Sequence, residues 1–522
     1  MTDFRAPSVV AIAAALAFCA VAAEARAQPG CSPLPAPSGV VVDVTPSQVG
    51  SLQSIADAAR PGDTIQLSDG LYSLPETLVL RTPGVTLRSK SGNRLDVVLD
   101  GRYAVGDLLL LRRSDITIAD LTLTRANWHL VHVVPDGGPL SGTTLHNLRA
   151  VDGREQFIKV NPAGGQYAEN GVIRCSALEM TDVGRTYVRN NCYTGGIDIH
   201  QARGWQIYAN VLGGFWCATG LSEHAIHAWT GSRDTIVDRN VIVNSARGIG
   251  LGLGSSTEGR AYGDAPCGGV NNIGHYGGAI TNNFVAATDA SLFASSAGFD
   301  SGIGLEQSCE TTVVHNTVVS TAAPRSSSIE WRFANTTAIV ANNLVTHALR
   351  ARDEARAGLG GNVQNAPLSL FVDAAAANLH LVPGAAVAID NGAVLAAPLP
   401  SDIDAETRDA QPDVGADEYI GPRATHSLAA SLSTAVAGAI EVTWTSSGGV
   451  ASPADWIGLF AAGAPDSAAL ERKSTAGQLT GAAYLTAPEA AGTYEVRYFT
   501  GDNSARVAVS NPIVVSAGGN TP

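Results

Sequence analysis

Residues 236–244 read IVDRNVIVN, and this pattern decides the predicted fold. β-branched or apolar residues flank one polar residue, here Asn240, on both sides. The pattern recurs around eight polar residues: Asp120, Asn147, Ser176, Asn210, Asn240, Asn283, Asn316 and Asn343. The intervals between them are 27, 29, 34, 30, 43, 33 and 27 residues, a period typical of a solenoid.

The segments between these polar residues indicate short strands joined by tight corners. They are rich in β-branched residues and carry no helical periodicity. At a corner, Asn or Asp tolerates a left-handed backbone conformation, and stacked Asn side chains can hydrogen-bond from coil to coil. We therefore predict an all-β chain, with a right-handed parallel β-helix over residues 45–421. A propeller or sandwich array fits less well, because the repeat length varies by 16 residues (43 − 27).

Composition and charge restrict the possible partners. The chain has 522 residues, of which 45% are hydrophobic, and this fraction supports a large core. Its net charge is −14, and negative surfaces repel nucleic acid and anionic membranes. Neither is an expected partner. The sequence leaves the oligomeric state open.

The amino-terminal segment indicates export. Residues 9–23 form an apolar run of 15 residues, shorter than the ~20 needed to span a bilayer. Ala25-Arg26-Ala27 then matches a signal-peptidase site. We predict a signal peptide over 1–27, cleaved after Ala27, a linker over 28–44, and a secreted protein, periplasmic or extracellular, without membrane insertion.

Cysteine usage agrees with export. Cleavage at Ala27 leaves six cysteines: Cys31, Cys175, Cys192, Cys217, Cys267 and Cys309. An even number in an oxidising compartment predicts disulfides, with fifteen possible pairings. We predict Cys175 with Cys192 as the first pair. The chain has no C-x-x-C motif, so a cysteine-based zinc or redox site is not expected.

In each coil a second strand precedes the polar corner, and its residues alternate in direction. We align IKVN, IDIH, IHAW, IGLG, IGLE and IEWR, which begin at Ile158, Ile197, Ile226, Ile249, Ile303 and Ile329. The first outward column is then His132, Lys159, Asp198, His227, Gly250, Gly304 and Glu330. The second is Asn161, His200, Trp229, Gly252, Glu306 and Arg332. Adjacent coils lie ~4.8 Å apart, so neighbours in a column nearly touch.

These columns carry the chemistry of a polysaccharide groove. β-Elimination of a uronate polymer needs a base and a cation that neutralises the substrate carboxylate. We assign the predicted catalytic residues as Lys159, His200 and His227 (candidate bases) and Arg332 (neutraliser). We assign the predicted Ca²⁺ ligands as Asp198, Glu306 and Glu330. Predicted substrate-binding residues are His132, Asn161, Trp229 and Arg203. The column glycines lower the floor of the groove.

Other interpretations remain open. Reprotonation on the opposite face would make the same site a uronate epimerase, and paired carboxylates would make it a glycoside hydrolase. The charges could also form a neutral surface ladder, with Lys159 paired to Asp198 and Glu330 to Arg332, on a binding or adhesive solenoid. Glu223, His224 and His227 in SEHAIHAW suggest a metal site, but strand alternation places the two histidines on opposite faces.

Residues 44–73, VTPSQVGSLQSIADAARPGDTIQLSDGLYS, predict a short helix over 51–59, then a strand and a turn. This stretch resembles the cap of secreted parallel β-helix proteins of the pectate lyase-like superfamily, including the chondroitinase B and alginate lyase family. Residues 369–393 and 402–419 resemble the closing coils of such proteins. The resemblance implies a polysaccharide lyase with a catalytic Lys and Arg and bound calcium. The Arg-His-Gly motif of chondroitinase B-like lyases is missing, because the coil reads IHAWTGSRDTIVDRN. The resemblance therefore transfers no catalytic residue.

Residues 424–518 differ in character. Alternation in GAIEVTWTS, DWIGLF, GTYEVRYF and ARVAVSNPIVV predicts a small antiparallel β-sandwich. DWIGLF followed by GTYEVRYF resembles immunoglobulin-like accessory domains of secreted bacterial enzymes. Adhesion, carbohydrate binding and a spacer role are all compatible with this domain.

Overall fold

The structure is a computed structural model that describes residues 31–189, 191–254, 259–270, 273–421, 425–431, 433–436, 438–447, 454–500 and 505–516. The predicted signal peptide, residues 1–27, lies outside this part of the chain. The regular secondary structure of the described residues is mostly β-strand with a few short helices, as predicted. Three long parallel sheets form a β-helix, and antiparallel sheets follow it.

The three sheets of the β-helix each receive about one short strand per coil, and all their strand pairs are parallel. The first sheet contains Val41–Val44, Thr64–Leu67, Thr86–Ser89, Thr117–Ala119, Thr144–His146, Val172–Arg174, Gln206–Tyr208, Ile236–Asp238, Ala279–Thr281, Thr311–Val314, Thr337–Ala341 and Arg356–Gly360. The second sheet, called the site sheet below, contains Leu78–Leu80, Leu109–Leu111, Val131–Val133, Gln156–Val160, Gly195–His200, Ile226–Trp229, Arg247–Leu251, Ser301–Glu306, Ser327–Arg332 and Leu349–Arg352. The third sheet contains Gly70–Ser73, Val97–Asp100, Thr122–Thr124, Arg149–Val151, Ala177–Glu179, Val211–Gly213, Val241–Val243, Phe284–Ala287, Thr317–Ser320 and Leu344–Val345.

Short elements decorate the coils. The small parallel sheets are Leu140–Ser141 with Ala168–Glu169, and Ser232–Arg233 with His275–Tyr276 and Ser308–Cys309. The α-helices are Leu52–Ala58, Asp182–Arg185 and Ala290–Ala294, and the 3₁₀-helices are Pro46–Ser51, Cys267–Gly269 and Leu368–Leu370. The amino-terminal helix was predicted at this position. Its buried Leu52 and Ala56 close the end of the core.

A ladder of buried asparagines runs between the first and third sheets, as the repeat predicted. Asn240 has no solvent exposure, and its amide donates to the carbonyl of Ile207 at 2.9 Å. It also donates to Oδ1 of Asn283 at 3.0 Å and accepts from the backbone N–H of Asn210 at 3.1 Å. The ladder runs from Ser176 through Asn210, Asn240, Asn283, Asn316 and Asn343 to Asn362.

The left-handed corner residue differs from the one expected in the later coils. Asp120 and Asn147 adopt positive φ, as predicted. In the later coils the positive φ falls one residue before the ladder position, for example at Arg239 beside Asn240. The backbone turns at one residue, and the ladder side chain points inward from the next. The sequence pattern predicted both the left-handed conformation and the ladder hydrogen bonds at one residue, whereas in these coils two adjacent residues share them.

The end of the β-helix differs from the expected closing coils. Phe371–Asp373 and Asn378–Leu381 pair antiparallel instead of extending the solenoid. Residues 366–416 pack through Leu370, Leu379 and Ile403 onto Phe284 and Leu344 of the third sheet. This segment therefore covers the outer face of the last third-sheet strands.

The predicted 28–44 linker is also partly ordered structure. Val41–Val44 is the first strand of the first sheet, pairing with Thr64–Leu67. The segment before it is held by the Cys31–Cys175 disulfide and by Arg88, whose guanidinium donates to the carbonyl of Pro35 at 3.0 Å.

The disulfides are Cys31–Cys175, Cys192–Cys217 and Cys267–Cys309, so the predicted Cys175–Cys192 pair is wrong. Two of these pairs join residues 25 and 42 apart, close to one coil. Cys175 and Cys192 are 17 residues apart, about half a coil, which places them at different corners. Three disulfides indicate an extracellular or otherwise oxidising environment. Among the described helices, none has the length and apolarity needed to cross a membrane.

The carboxy-terminal strands form two antiparallel-rich sheets, in agreement with the predicted alternation. One sheet contains Thr425–Ala430, Ala439–Ser447 and Thr480–Thr486. The other contains Ser433–Ala435, Trp456–Ala461, Glu471–Ser474, Gly492–Thr500, Ala505–Val509 and Ile513–Ser516. Their shared core includes Ile440, Trp444, Leu459, Val496 and Tyr498.

Candidate functional site

The register of the site sheet confirms the two predicted columns. The six aligned isoleucines are in register and fully buried. Because side chains alternate along a strand, the residue that directly follows each isoleucine faces away from the core. The first column is His132, Lys159, Asp198, His227, Gly250, Gly304 and Glu330, and it continues to Arg350. The second pairs His200 with Trp229 and Glu306 with Arg332, and it continues to Arg352.

Lys159, Asp198, His200, His227 and Trp229 form one contiguous group on three adjacent strands, called the Lys159 cluster below. The Lys159 ammonium donates to Oδ2 of Asp198, and both side chains are almost fully buried. Burial favours neutral Lys159, but Asp198 and the Tyr193 hydroxyl outweigh it and raise the pKa of Lys159. Burial also opposes ionisation of Asp198, yet His200 and Lys159 hold its pKa well below the usual range. The pair is therefore a fixed ion pair.

This ion pair changes two predicted roles. Lys159 was a candidate base, but a raised pKa keeps it protonated and unable to accept a proton. Asp198 was a candidate Ca²⁺ ligand, but Lys159 occupies Oδ2, and Trp229 Nε1 donates to Oδ1 at 2.8 Å. The Lys159–Asp198 part of the predicted neutral ladder is thus present.

His200 is the member of the Lys159 cluster that is best suited to act as a base. Its Nε2 lies 3.2 Å from Asp198 Oδ2 and 3.0 Å from Lys159 Nζ. Burial lowers its pKa, and the attraction of Asp198 only partly opposes this, so the imidazole is neutral at neutral pH. Within the described part of the chain, Nδ1 has no hydrogen-bond partner and is not among the enclosed atoms. Nδ1 therefore retains some solvent exposure, in a side chain that is 17% exposed.

His132 lies on the strand that precedes the Lys159 strand, and Asn161 directly follows the Lys159 strand, so both predicted substrate-binding residues lie beside the Lys159 cluster. His132 Nδ1 lies 2.8 Å from Asp107 Oδ2, and its Nε2 lies 3.0 Å from Asn161 Oδ1. A second histidine, His129, packs edge-on against His132 with ring centroids 5.0 Å apart. Burial and the neighbouring His132 lower the pKa of His129 to about 4.

The column glycines do not open the floor as predicted. A Cβ on Gly250 would lie 2.6 Å from the His224 imidazole, and one on Gly304 would lie 3.7 Å from it. His224 itself is 6% exposed. The glycines therefore make room for this side chain, which lies over them, rather than for substrate.

The predicted cation ligands do not come together. The Asp198 strand and the Glu306 strand are three positions apart in the site sheet, or roughly 14 Å at the usual spacing. Glu306 accepts from the backbone N–H of Gly254, and Glu330 pairs with Arg352 at 3.0 Å. The sequence predicted Arg332 as the partner of Glu330, but Glu330 pairs instead with Arg352, which lies diagonally across from it on the next strand.

Arg332 lies outside the Lys159 cluster. Its Nε donates to Asp353 Oδ2 at 2.9 Å, and its strand is four positions from that of His200, roughly 19 Å away. Arg332 and His200 are therefore too far apart to contact the same sugar residue. Arg203, predicted to bind substrate, lies at the corner beyond the strand, where its backbone forms a β-bridge with that of Arg233. Its half-exposed side chain pairs with Asp234 at 3.2 Å.

The structure adds residues that the alignment missed. Asp107, His129, Glu155, Tyr193, Glu223 and His224 all sit in the turns that lead into site-sheet strands. These turns vary in length, so no column alignment reaches them. The one sequence signal was SEHAIHAW, where alternation misplaced His224: it precedes the strand, and its ring lies 4.5 Å from that of His227.

Comparisons with known proteins add little. No family model matches the chain, and no curated protein matches it. A solved structure similar to part of the chain is the solution NMR structure of a CARDB domain from Pyrococcus furiosus, 14% identical, covering 18% of this chain and 93% of that one, with a TM-score of 0.14. A TM-score this low carries no information about function.

Proposed function

We propose that the protein is a polysaccharide lyase that cleaves an acidic, uronate-containing polysaccharide by β-elimination at the Lys159 cluster. One observation carries the proposal: His200 presents a neutral imidazole to the outside of the sheet, braced by an ionised, buried aspartate. Elimination next to a carboxylate needs such a base, and the adjacent Asp198 stabilises the imidazolium that forms.

The reaction is assigned to the residues as follows. His200 Nδ1 removes the C5 proton of the uronate. The C4–O4 bond then breaks, its electron pair leaves on O4, and a C4–C5 double bond forms. The Lys159 ammonium beneath His200 supplies fixed positive charge, and the Asn161 amide supplies a donor toward the substrate carboxylate.

The leaving oxygen needs a proton, and Tyr193 is the residue that we assign to this step. The Tyr193 hydroxyl hydrogen-bonds to Lys159, and Tyr193 is 37% exposed to solvent. Trp229, whose ring stacks at 5.3 Å on His227, offers an aromatic surface for a sugar ring.

The test is turnover of a polysaccharide panel by the mature protein. The panel holds alginate, pectate, glycosaminoglycans and neutral glycans, each with Ca²⁺ and with chelator. We expect ultraviolet absorbance of an unsaturated uronate together with new reducing ends on an acidic member. His200→Ala should lower that activity by about 10²-fold or more, the usual contribution of a general base.

His347→Ala is the matched control, because His347 is a partly exposed histidine that lies beyond the third sheet. It should retain activity, and both variants should keep the wild-type circular dichroism. Reducing ends without absorbance would instead show a hydrolase, and undiminished turnover by His200→Ala would remove His200 from the site. No product on any polymer would contradict the lyase proposal.

Two further assignments belong to this proposal. The signal peptide over 1–27 exports the protein, in line with its three disulfides. The antiparallel domain beyond residue 424 is an immunoglobulin-like accessory module, supported by its two sheets around one core. Loss of the first 27 residues from secreted protein, read by mass spectrometry, tests the first assignment.

A further inference from the structure

A second group of side chains shares His227 with the Lys159 cluster, and none of its members is assigned a proton-transfer step in the elimination. Glu223, His224 and His227 each offer one ligand atom, and these atoms lie within 4.8 Å of one another. His227 is fully buried, His224 is 6% exposed, and the Glu223 side chain is 22% exposed. The group is enclosed on the protein side and reachable from solvent through Glu223.

Each of the three residues holds an enclosed polar atom without a hydrogen-bond partner in the described part of the chain. These atoms are Glu223 Oε2, His224 Nδ1 and His227 Nδ1. Buried polar groups are nearly always satisfied in folded proteins. Three unsatisfied atoms from adjacent side chains therefore indicate a missing common partner.

The hydrogen bonds of His227 decide which kind of partner fits. Its Nε2 lies 3.1 Å from the carbonyl of Gly252, which can only accept, so Nε2 carries the hydrogen. That bond fixes the ring and leaves Nδ1 as the coordinating atom, the usual second-shell arrangement for a metal-bound histidine. Nδ1 lies 3.4 Å from Glu223 Oε2. Two ligands of tetrahedral zinc are separated by about 3.3 Å.

Two other groups of possible ligands lack this property. His132 and His380 each use both ring nitrogens in contacts with side-chain oxygens. Asp107 Oδ1 is the single unpartnered enclosed atom in either group. Only at the His227 group do a carboxylate oxygen and two imidazole nitrogens lack partners together, among the residues that the structure describes. The site is further shaped by Gly250, where any side chain would collide with His224.

We propose that Glu223, His224 and His227 bind one divalent transition-metal ion of the Zn²⁺ class. Two imidazoles and one carboxylate are a ligand set that suits zinc, and they leave a fourth position for water or a further ligand. Asp198 Oδ1 lies 3.8 Å from His227 Nδ1 and links this ion to the Lys159 cluster. A set rich in nitrogen disfavours Ca²⁺, which takes oxygen ligands.

The experiment measures metal binding by tag-free mature protein stripped with chelator, independently of any enzymatic activity. Zn²⁺ is titrated calorimetrically, and bound metal is counted after dialysis. Co²⁺ then replaces Zn²⁺ for its visible spectrum, which reports tetrahedral coordination. We expect one equivalent of Zn²⁺, an intense tetrahedral Co²⁺ band, and no competition from Ca²⁺.

Glu223→Gln and His227→Gln should each weaken Zn²⁺ binding by at least tenfold. His132→Gln is the matched control, because His132 also lies on the site sheet but has both nitrogens partnered, and it should bind like wild type. Thermal melts without metal show whether each variant folds, and Glu223→Gln serves if His227→Gln does not. Absence of Zn²⁺ binding by wild type would overturn the proposal, as would equal binding by Glu223→Gln.

Discussion

Asp198→Ala tests the assignment of Lys159 and Asp198 as a fixed, buried ion pair. The Lys159 side chain is 6% exposed and that of Asp198 is 3% exposed. Removing the carboxylate leaves a buried ammonium without its partner, which typically costs 3–5 kcal/mol, roughly. Trp229 Nε1 and His200 lose an acceptor at the same time. We therefore expect the free energy of unfolding to fall by about 3–5 kcal/mol.

The chain contains its own control for this experiment. Asp43 pairs with Lys90 at 2.9 Å, but these side chains are 52% and 53% exposed. Exposed pairs contribute about 0–1 kcal/mol, so Asp43→Ala should change stability very little. Urea unfolding followed by circular dichroism at pH 7 compares both variants with wild type. Losses that agree within about 1 kcal/mol would refute the buried-pair assignment.

The pH dependence gives a second check on the same variant. In Asp198→Ala, burial acts on Lys159 without the opposing carboxylate and lowers its pKa. A lysine with a depressed folded-state pKa destabilises the fold while it is charged, and this cost disappears as pH rises and the ammonium deprotonates. The deficit of Asp198→Ala should therefore shrink between pH 7 and 10. A deficit that stays constant over this range would argue against an enclosed Lys159.

Three further outcomes are expected from the structure. Asn240→Ala breaks the buried ladder and orphans the Asn210 N–H, so unfolding by urea should show a loss of about 2–5 kcal/mol, whereas a loss below about 1 kcal/mol would contradict the ladder's role. Burial raises the pKa of Asp417 to about 7, so ionisation of this carboxyl group destabilises the fold as pH rises from about 4 through 7. Asp417→Asn should therefore be more stable than wild type by about 2–4 kcal/mol at pH 8 and equal to it near pH 4. The same stability difference at both pH values would refute this. Cys31→Ser opens a loop of 144 residues and should cost about 5 kcal/mol by unfolding in urea. Cys192→Ser opens a loop of 25 residues, and its cost should be about 1.5 kcal/mol smaller.

The columns of the site sheet could be read from the sequence because their information is local. Each strand carries a buried isoleucine, and alternation then fixes which neighbours face outward. The parallel strands of successive coils stack in register, so equivalent positions lie side by side. The sequence therefore sufficed to align Lys159, Asp198 and His227 correctly. The asparagine ladder was predictable for the same reason, since each ladder residue repeats at the same point of its coil.

The turns could not be read in this way. Glu223 and His224 lie in a turn whose length has no counterpart in the neighbouring coils, so strand alternation gave the wrong face for His224. The same loss of register hid Tyr193 and Asp107. Turns of variable length have no repeating side-chain pattern, so only the tertiary structure shows where their side chains lie.

The sequence alone determined the parallel β-helix, its outward columns and the residues that can perform chemistry, because these follow from a repeat with a fixed side-chain alternation. The tertiary structure decided their states. Contact with Asp198 keeps Lys159 charged despite its burial, and burial keeps His200 neutral despite the attraction of Asp198. Arg332 lies on a strand too far along the solenoid to join them. The sequence could not show these states, because the charge and burial of a side chain depend on neighbours that are distant in the chain.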